Sequence, residues 1–245
     1  MIQVRHYIKN WRSIMSKLQM FCFAYAGGSA SFFDLIEKDL QEFDLVKIEY
    51  AGHGTRYKES CYQNFNELAD DIYPLLKKQY SGNGYALFGY SMGTITLVEM
   101  LKRIVDDPGM REPSHVFLAA HEPHSKAELA EFTNDKLDEW IKNKTIKFGA
   151  VPEKLINNKS FWRMYLPLYR ADYSIIGTYK FEELNLKVNI PATIFYSETD
   201  TPRTEMELWR DYFIGECEYF DFPGNHFFIQ EHYQEMARIM NARMW

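Results

Sequence analysis

The segment "LFGYSMGT", Leu87 to Thr94, places Ser91 between Gly89 and Gly93, where an apolar run meets a stretch of helical periodicity. A strand that turns abruptly into a helix holds the side chain at the turn out from the sheet. Strand and helix then approach so closely that Cβ atoms two residues to either side would collide. The glycines therefore leave room for an exposed hydroxyl, and the helix N-terminus beside it favours developing negative charge. Gly-x-Ser-x-Gly alone is a weak pattern, but its strand-to-helix setting points to Ser91 as the nucleophile of an acyl transfer.

A serine hydroxyl is a poor nucleophile at neutral pH and needs a base in hydrogen-bond reach, with a third group to orient that base. Seven histidines compete. His226, in "FDFPGNHFFI", follows a strand-like run and the turn Pro223-Gly224-Asn225, and it comes after serine and acid in the chain order of a strand-to-helix nucleophile. His6 and His53 precede Ser91, and His232 lies in a helical stretch. His121 and His124, just past an earlier strand, are the rivals. The acid belongs at the carboxyl end of a strand between Ser91 and His226, where "ATIFYSETDTP" supplies Asp200, with Glu122 second. Acyl transfer also requires oxyanion donors: the amide of Met92, after the nucleophile, and that of Ala26 in "FAYAGGSAS". The glycines there lack the Gly-x-Gly-x-x-Gly spacing of a dinucleotide loop.

These residues need a scaffold that brings strand ends together. Leu18–Ala24, Leu45–Tyr50, Tyr85–Tyr90, His115–Ala119, Ala192–Ser197 and Cys217–Asp221 read as strands. Phe32–Leu40, Phe65–Tyr80, Met92–Val105, Glu205–Phe213 and Phe228–Arg243 carry apolar residues at helical spacing. The alternation predicts an α/β fold with a mostly parallel central sheet flanked by helices. About residues 122–188 there is no convincing strand, but there are helical patches, Ala127–Lys142 and the aromatic "FWRMYLPLYRADY". An insertion of that length is expected to be a helical lid, mobile from about Ser125 to Tyr179.

The chain has 245 residues, 46% hydrophobic and 25% charged, with no linker-like stretch, so one domain spanning 1–245 is expected. Residues 1–15, basic and without an acid up to a second methionine at Met15, read as a disordered extension. A formal charge of −6 offers no general attraction to nucleic acid or anionic membrane. Cys22, Cys61 and Cys217 are odd in number and widely spaced, which argues against a zinc site or a disulfide framework. The expectation is a cytoplasmic monomer that needs no metal or other cofactor.

Together, "FCFAYAGGSASFF", "AGHGTR", "LFGYSMGT", "LPLYRADY" and "FPGNHFF" resemble, in order and approximate spacing, the type II thioesterases that accompany nonribosomal peptide and polyketide synthases. The likeness runs from about Leu18 to the C-terminus. It implies the α/β-hydrolase fold, a Ser91–Asp200–His226 triad and oxyanion donors at Ala26 and Met92. It also implies a substrate, acyl groups stalled on the phosphopantetheine arm of a carrier protein. Arg56 in the "HGTR" loop and Arg203 after the acid are the cations expected to meet that arm or its acidic carrier domain. Tyr90 stands where this family commonly has histidine, Ala24 where proline is common, and "AAHEPH" where the segment is usually smaller. The same skeleton supports carboxylesterases, lipases, peptidases and acyltransferases, and in principle a binding module without turnover.

Overall fold

The computed structural model describes residues 17–124 and 133–243. The expected extension at 1–15 lies outside the described residues. Six strands form one sheet: β1 Leu18–Phe23, β2 Phe43–Lys47, β3 Tyr85–Tyr90, β4 His115–Ala119, β5 Ala192–Tyr196 and β6 Cys217–Asp221. Their order is β2-β1-β3-β4-β5-β6, and every pairing is parallel. In a parallel sheet all carboxyl ends lie along one edge, so loops far apart in sequence converge there.

The central strands are continuous apolar runs because both faces are covered. Every residue of β3, β4 and β5 is buried. Helix α1, Phe65–Gln79, starts at Asn64, whose side chain accepts the Glu67 amide, and it buries Phe65, Leu68, Ile72 and Leu76 at three- and four-residue spacing. Helix α2, Met92–Val105, runs directly from the end of β3 and is buried along most of its length.

Where sequence and structure differ, the edges of the core account for it. The edge strand β2 begins at Phe43 rather than Leu45, since Phe43 is already buried in the core. The expected helix Phe32–Leu40 is a 3-10 turn, Ala30–Phe33, followed by a single α-helical turn, Asp34–Glu37, with no side-chain cap on either. Glu205–Phe213 likewise resolves into Arg203–Met206 and a 3-10 segment, Glu207–Asp211.

The insertion forms two helices, α3 Asn134–Lys147 and α4 Lys159–Thr178. Part of the expected helix Ala127–Lys142 falls outside the described residues. Leu137, Ile141, Val151, Trp162, Leu166 and Tyr169 make a small apolar cluster of their own, tied to the main core through Trp140 and Tyr173. The separately packed part is narrower than 122–188, because Phe181, Leu184, Leu186 and Val188 join the main core. A last helix, α5 Ile229–Ala242, closes the chain against the turn Asp34–Glu37. Among the described residues no helix is long and apolar enough to cross a membrane.

Candidate active site

Ser91 occupies the turn between β3 and α2 at φ 53° and ψ −121°, a conformation an L-residue adopts only under strain. Its amide is held by the Ala119 carbonyl of the neighbouring strand (2.8 Å), and its own carbonyl accepts the Thr94 amide and hydroxyl, each at 2.8 Å. A Cβ on Gly89 would strike the Gly93 carbonyl, and one on Gly93 would strike the Phe23 carbonyl of β1. The helix can therefore start this close to the sheet only with glycine at both positions.

Asp200 lies four residues beyond β5 and His226 five beyond β6. Their loops are bound to each other. The Ser197 and Thr199 hydroxyls both donate to the Gly224 carbonyl, at 2.6 and 2.5 Å, and the Glu198 amide donates to Asp221. His226 Nδ1 stands 2.7 Å from Asp200 Oδ2, and Nε2 stands 2.9 Å from Ser91 Oγ. With Nδ1–H donated to the carboxylate, Nε2 presents its lone pair to the serine hydroxyl, the tautomer a general base requires. The His226 and Asp200 side chains are each 9% exposed, so competing water is largely excluded.

Glu122, the second choice for the acid, is buried and lines the same cleft, but the carboxylate on His226 Nδ1 is that of Asp200. His121 also lines the cleft, its Nδ1 2.6 Å from the Glu122 carbonyl, while His124 is exposed. His232 reaches the Pro223 carbonyl, and His53 is buried elsewhere. Ala26, three residues past β1, and Ser91 border one small cavity. Among the described residues no protein acceptor takes the Ala26 or Met92 amide.

Two cavities meet at Ser91 and His226. The larger, about 230 Å³, runs between Ala120–Glu122, helix α3 and the segment Asp200–Glu205. The smaller, about 10 Å³, lies between the Ala26 turn and Tyr169 of α4. Phe148 and Tyr173 line both. Phe148 is stacked on the His226 ring, centroids 4.0 Å apart and planes 12° from parallel, with Lys144 Nζ 4.4 Å from its centroid. Behind His226, the buried Tyr90 hydroxyl donates to its carbonyl (2.8 Å). Neither the Phe148 nor the Tyr90 contact was marked by a local pattern, although Tyr90 stood out as a departure from the resemblance.

The two expected carrier contacts separate. Arg56 is engaged by Glu59 and Asp71, pairs that raise its pKa further, and by the Glu49 carbonyl, and it borders neither cavity at Ser91. Arg203 is about half exposed beside Pro202 and Glu205 of the cleft wall, with Glu207 at 2.9 Å.

A family profile described as Thioesterase domain matches residues 18–244. The chain belongs to this thioesterase family. Medium-chain S-acyl fatty acid synthase thioesterase of Rattus norvegicus is 27% identical over 218 residues, covering 87% of this chain and 82% of its own. Gramicidin S biosynthesis protein GrsT of Aneurinibacillus migulanus is 27% identical over 233 residues, covering 92% and 88%. Among solved structures, ClbQ from the colibactin NRPS/PKS pathway superposes with a TM-score of 0.82 at 25% identity, over 94% of this chain and 97% of that one. The fold of this thioesterase is accordingly the α/β-hydrolase fold, and its chemistry is hydrolysis of thioesters.

Proposed function

We propose that this thioesterase is a type II editing enzyme that releases acyl groups from the phosphopantetheine arm of a carrier protein in nonribosomal peptide or polyketide synthesis. The observation that carries the chemistry is the unbroken chain Ser91 Oγ, His226 Nε2, His226 Nδ1, Asp200 Oδ2 at the floor of a cleft beneath two inserted helices. Kinship with the gramicidin S protein and with ClbQ supports the carrier-bound substrate.

In this reading His226 Nε2 takes the Ser91 proton as Oγ attacks the thioester carbonyl. The oxyanion forms against the amides of Ala26 and Met92, at the N-terminus of α2. Asp200 stabilises the imidazolium, which then gives its proton to the departing pantetheine sulfur. Water, deprotonated by the same His226, attacks the acyl-serine, and collapse of the second tetrahedral species returns the proton to Ser91 and frees the acid. Every step uses side chains and backbone of this chain, with no cofactor of its own; the phosphopantetheine belongs to the substrate. The cap formed by α3 and α4 acts as a lid within a single domain, and Arg203 on the rim meets the phosphate of the arm.

The test is kcat/KM for one acyl group presented on a carrier protein, on pantetheine and on coenzyme A, with Ser91→Ala alongside. The expected result is a preference for the carrier-bound form and a loss on the order of 10⁴ to 10⁶ in kcat for the variant. Equal values for all three donors would make this a general esterase or acyltransferase.

A further inference from the structure

Two of the segments singled out in the sequence take no part in the chemistry at Ser91, yet they meet. His53, from "AGHGTR", and Asp172, from "LPLYRADY", are 119 residues apart in the chain, with His53 Nε2 2.9 Å from Asp172 Oδ2. Their side chains are 1% and 3% exposed. His53 Nδ1 lies 2.9 Å from the Ala51 carbonyl. Both neighbours of the ring are acceptors, so both nitrogens must carry protons and His53 is an imidazolium. Burial alone would lower its pKa, but the Asp172 carboxylate, with the Ala51 carbonyl and Glu49 adding to its effect, holds it above the ordinary histidine value.

The carboxylate has a second task. Asp172 Oδ2 also accepts the Gly27 amide, at 2.6 Å. Gly27, at φ +75°, is the third residue of a turn closed by the Gly28 amide on the Tyr25 carbonyl (2.9 Å), and Ala26 before it has no positive φ. That is a type II turn, in which the peptide joining Ala26 to Gly27 can flip. The bond to Asp172 fixes that peptide's orientation, because the flipped form would point the Ala26 carbonyl at a carboxylate. The Ala26 N–H itself lies in the preceding peptide, whose Tyr25 carbonyl accepts the Gly28 amide, so Asp172 acts on it by holding the turn as a whole in place through Gly27. Tyr169, three residues before Asp172 and on the same face of α4, places its ring where a Gly27 Cβ would be. One helix of the cap thus grips the residue beside Ala26 twice, by ring and by carboxylate.

We propose that Asp172, held in place by the His53 imidazolium, is a positioning residue for the oxyanion turn, so that seating of the cap helix α4 and alignment of the Ala26 amide are one event. This rests on the reading of Ser91 as nucleophile and Ala26 as oxyanion donor. Asparagine cannot replace the carboxylate here. An amide oxygen at the Oδ2 position lacks the charge that keeps His53 protonated, and an amide nitrogen there would face the Gly27 N–H.

The experiment compares Asp172→Asn and His53→Gln with the parent enzyme by thermal unfolding, by kcat and KM, and by affinity for two pantetheine analogues. One is a trifluoromethyl ketone, whose carbonyl is attacked by Ser91 Oγ to give an oxyanion while His226 keeps the proton. The other is a non-hydrolysable thioether. Displacing one of two oxyanion donors is expected to lower kcat and weaken the ketone in parallel by about 10- to 100-fold for Asp172→Asn, with the thioether unchanged. His53→Gln, which still donates to Asp172, should show the same pattern to a smaller extent, and it decides the matter if Asp172→Asn does not fold. Equal weakening of ketone and thioether, or parental values for both, would overturn the proposal. A Ser91→Ala enzyme that still turned over thioesters would instead remove the reading on which it rests.

Discussion

Tyr90→Phe deletes one oxygen from a fully buried ring and leaves the rest of its packing in place. The ring is held edge-on by Phe32 at 5.0 Å and stacked near Phe227 at 6.2 Å, contacts that phenylalanine keeps. The hydroxyl donates to the His226 carbonyl at 2.8 Å, and burial pushes its pKa well above that of free tyrosine, so it remains a donor at every working pH. Without it a buried carbonyl loses its partner, at a cost of about 1–3 kcal/mol. For a chain of this size that is a fall in Tm of roughly 2–12 °C. The catalytic consequence follows from which residue owns that carbonyl. Loosening the backbone of the base lets its ring drift, and since a misplacement of about 1 Å can cost ~100-fold, a fraction of that should lower kcat by about 10-fold with KM little changed. Differential scanning calorimetry and steady-state hydrolysis of an acyl thioester read the two effects. A variant matching the parent in both Tm and kcat would refute the claim that Tyr90 anchors the base.

Phe148→Ala should join the two cavities that now share this ring as a wall. The ratio of kcat/KM between a long and a short acyl chain is expected to shift by roughly 10-fold or more, measured on a series of acyl thioesters, and an unchanged ratio would deny Phe148 a part in chain selection. Asp200→Asn should cost about 10³ to 10⁴ in kcat and Glu122→Gln less than about 10-fold; the reverse order would transfer the orienting role to Glu122. His115, buried with its Nε2 2.8 Å from Thr193 Oγ1, has its pKa lowered by burial, and further by Arg243, to about 4. The unfolded chain therefore takes up the proton first on acidification. The stability this histidine contributes is full above about pH 6.5 and declines toward pH 4, by about 2 kcal/mol at pH 5. Chemical denaturation at pH 7.5 and pH 5 should show that loss in the parent and not in His115→Gln.

The strands were legible because a doubly covered parallel sheet writes itself as uninterrupted apolar runs, and β3, β4 and β6 begin and end where those runs do. That Ser91, Asp200 and His226 come together was legible for a related reason. Each follows the end of such a run, so chain order stood in for geometry. The short turns around Asp34 and Glu207 were harder, since one or two turns of helix carry too little periodicity to separate α from 3-10. What could not be read were pairings between remote side chains. Tyr90 reaches His226 across 136 positions, and Asp172 reaches Gly27 across 145. No local periodicity encodes such contacts, because they depend on how the cap helices sit on the sheet.

The order of strands has a consequence for how this enzyme comes into being. From β3 onward each new strand adds to the same side of the sheet, so β4, β5 and β6 can dock one after another as the chain leaves the ribosome. On the proposed assignment the nucleophile Ser91 is built early in that sequence, the acid Asp200 late, and the base His226 only after β6, the edge strand on that side. A nascent chain that has completed β5 already holds its strained serine but has nothing to take the proton, and its open sheet edge awaits one more partner. On the proposed assignment hydrolytic power therefore appears only once β6 and the His226 loop are in place, and a chain stopped after β5 would be an inert protein with an exposed edge instead of a weak esterase.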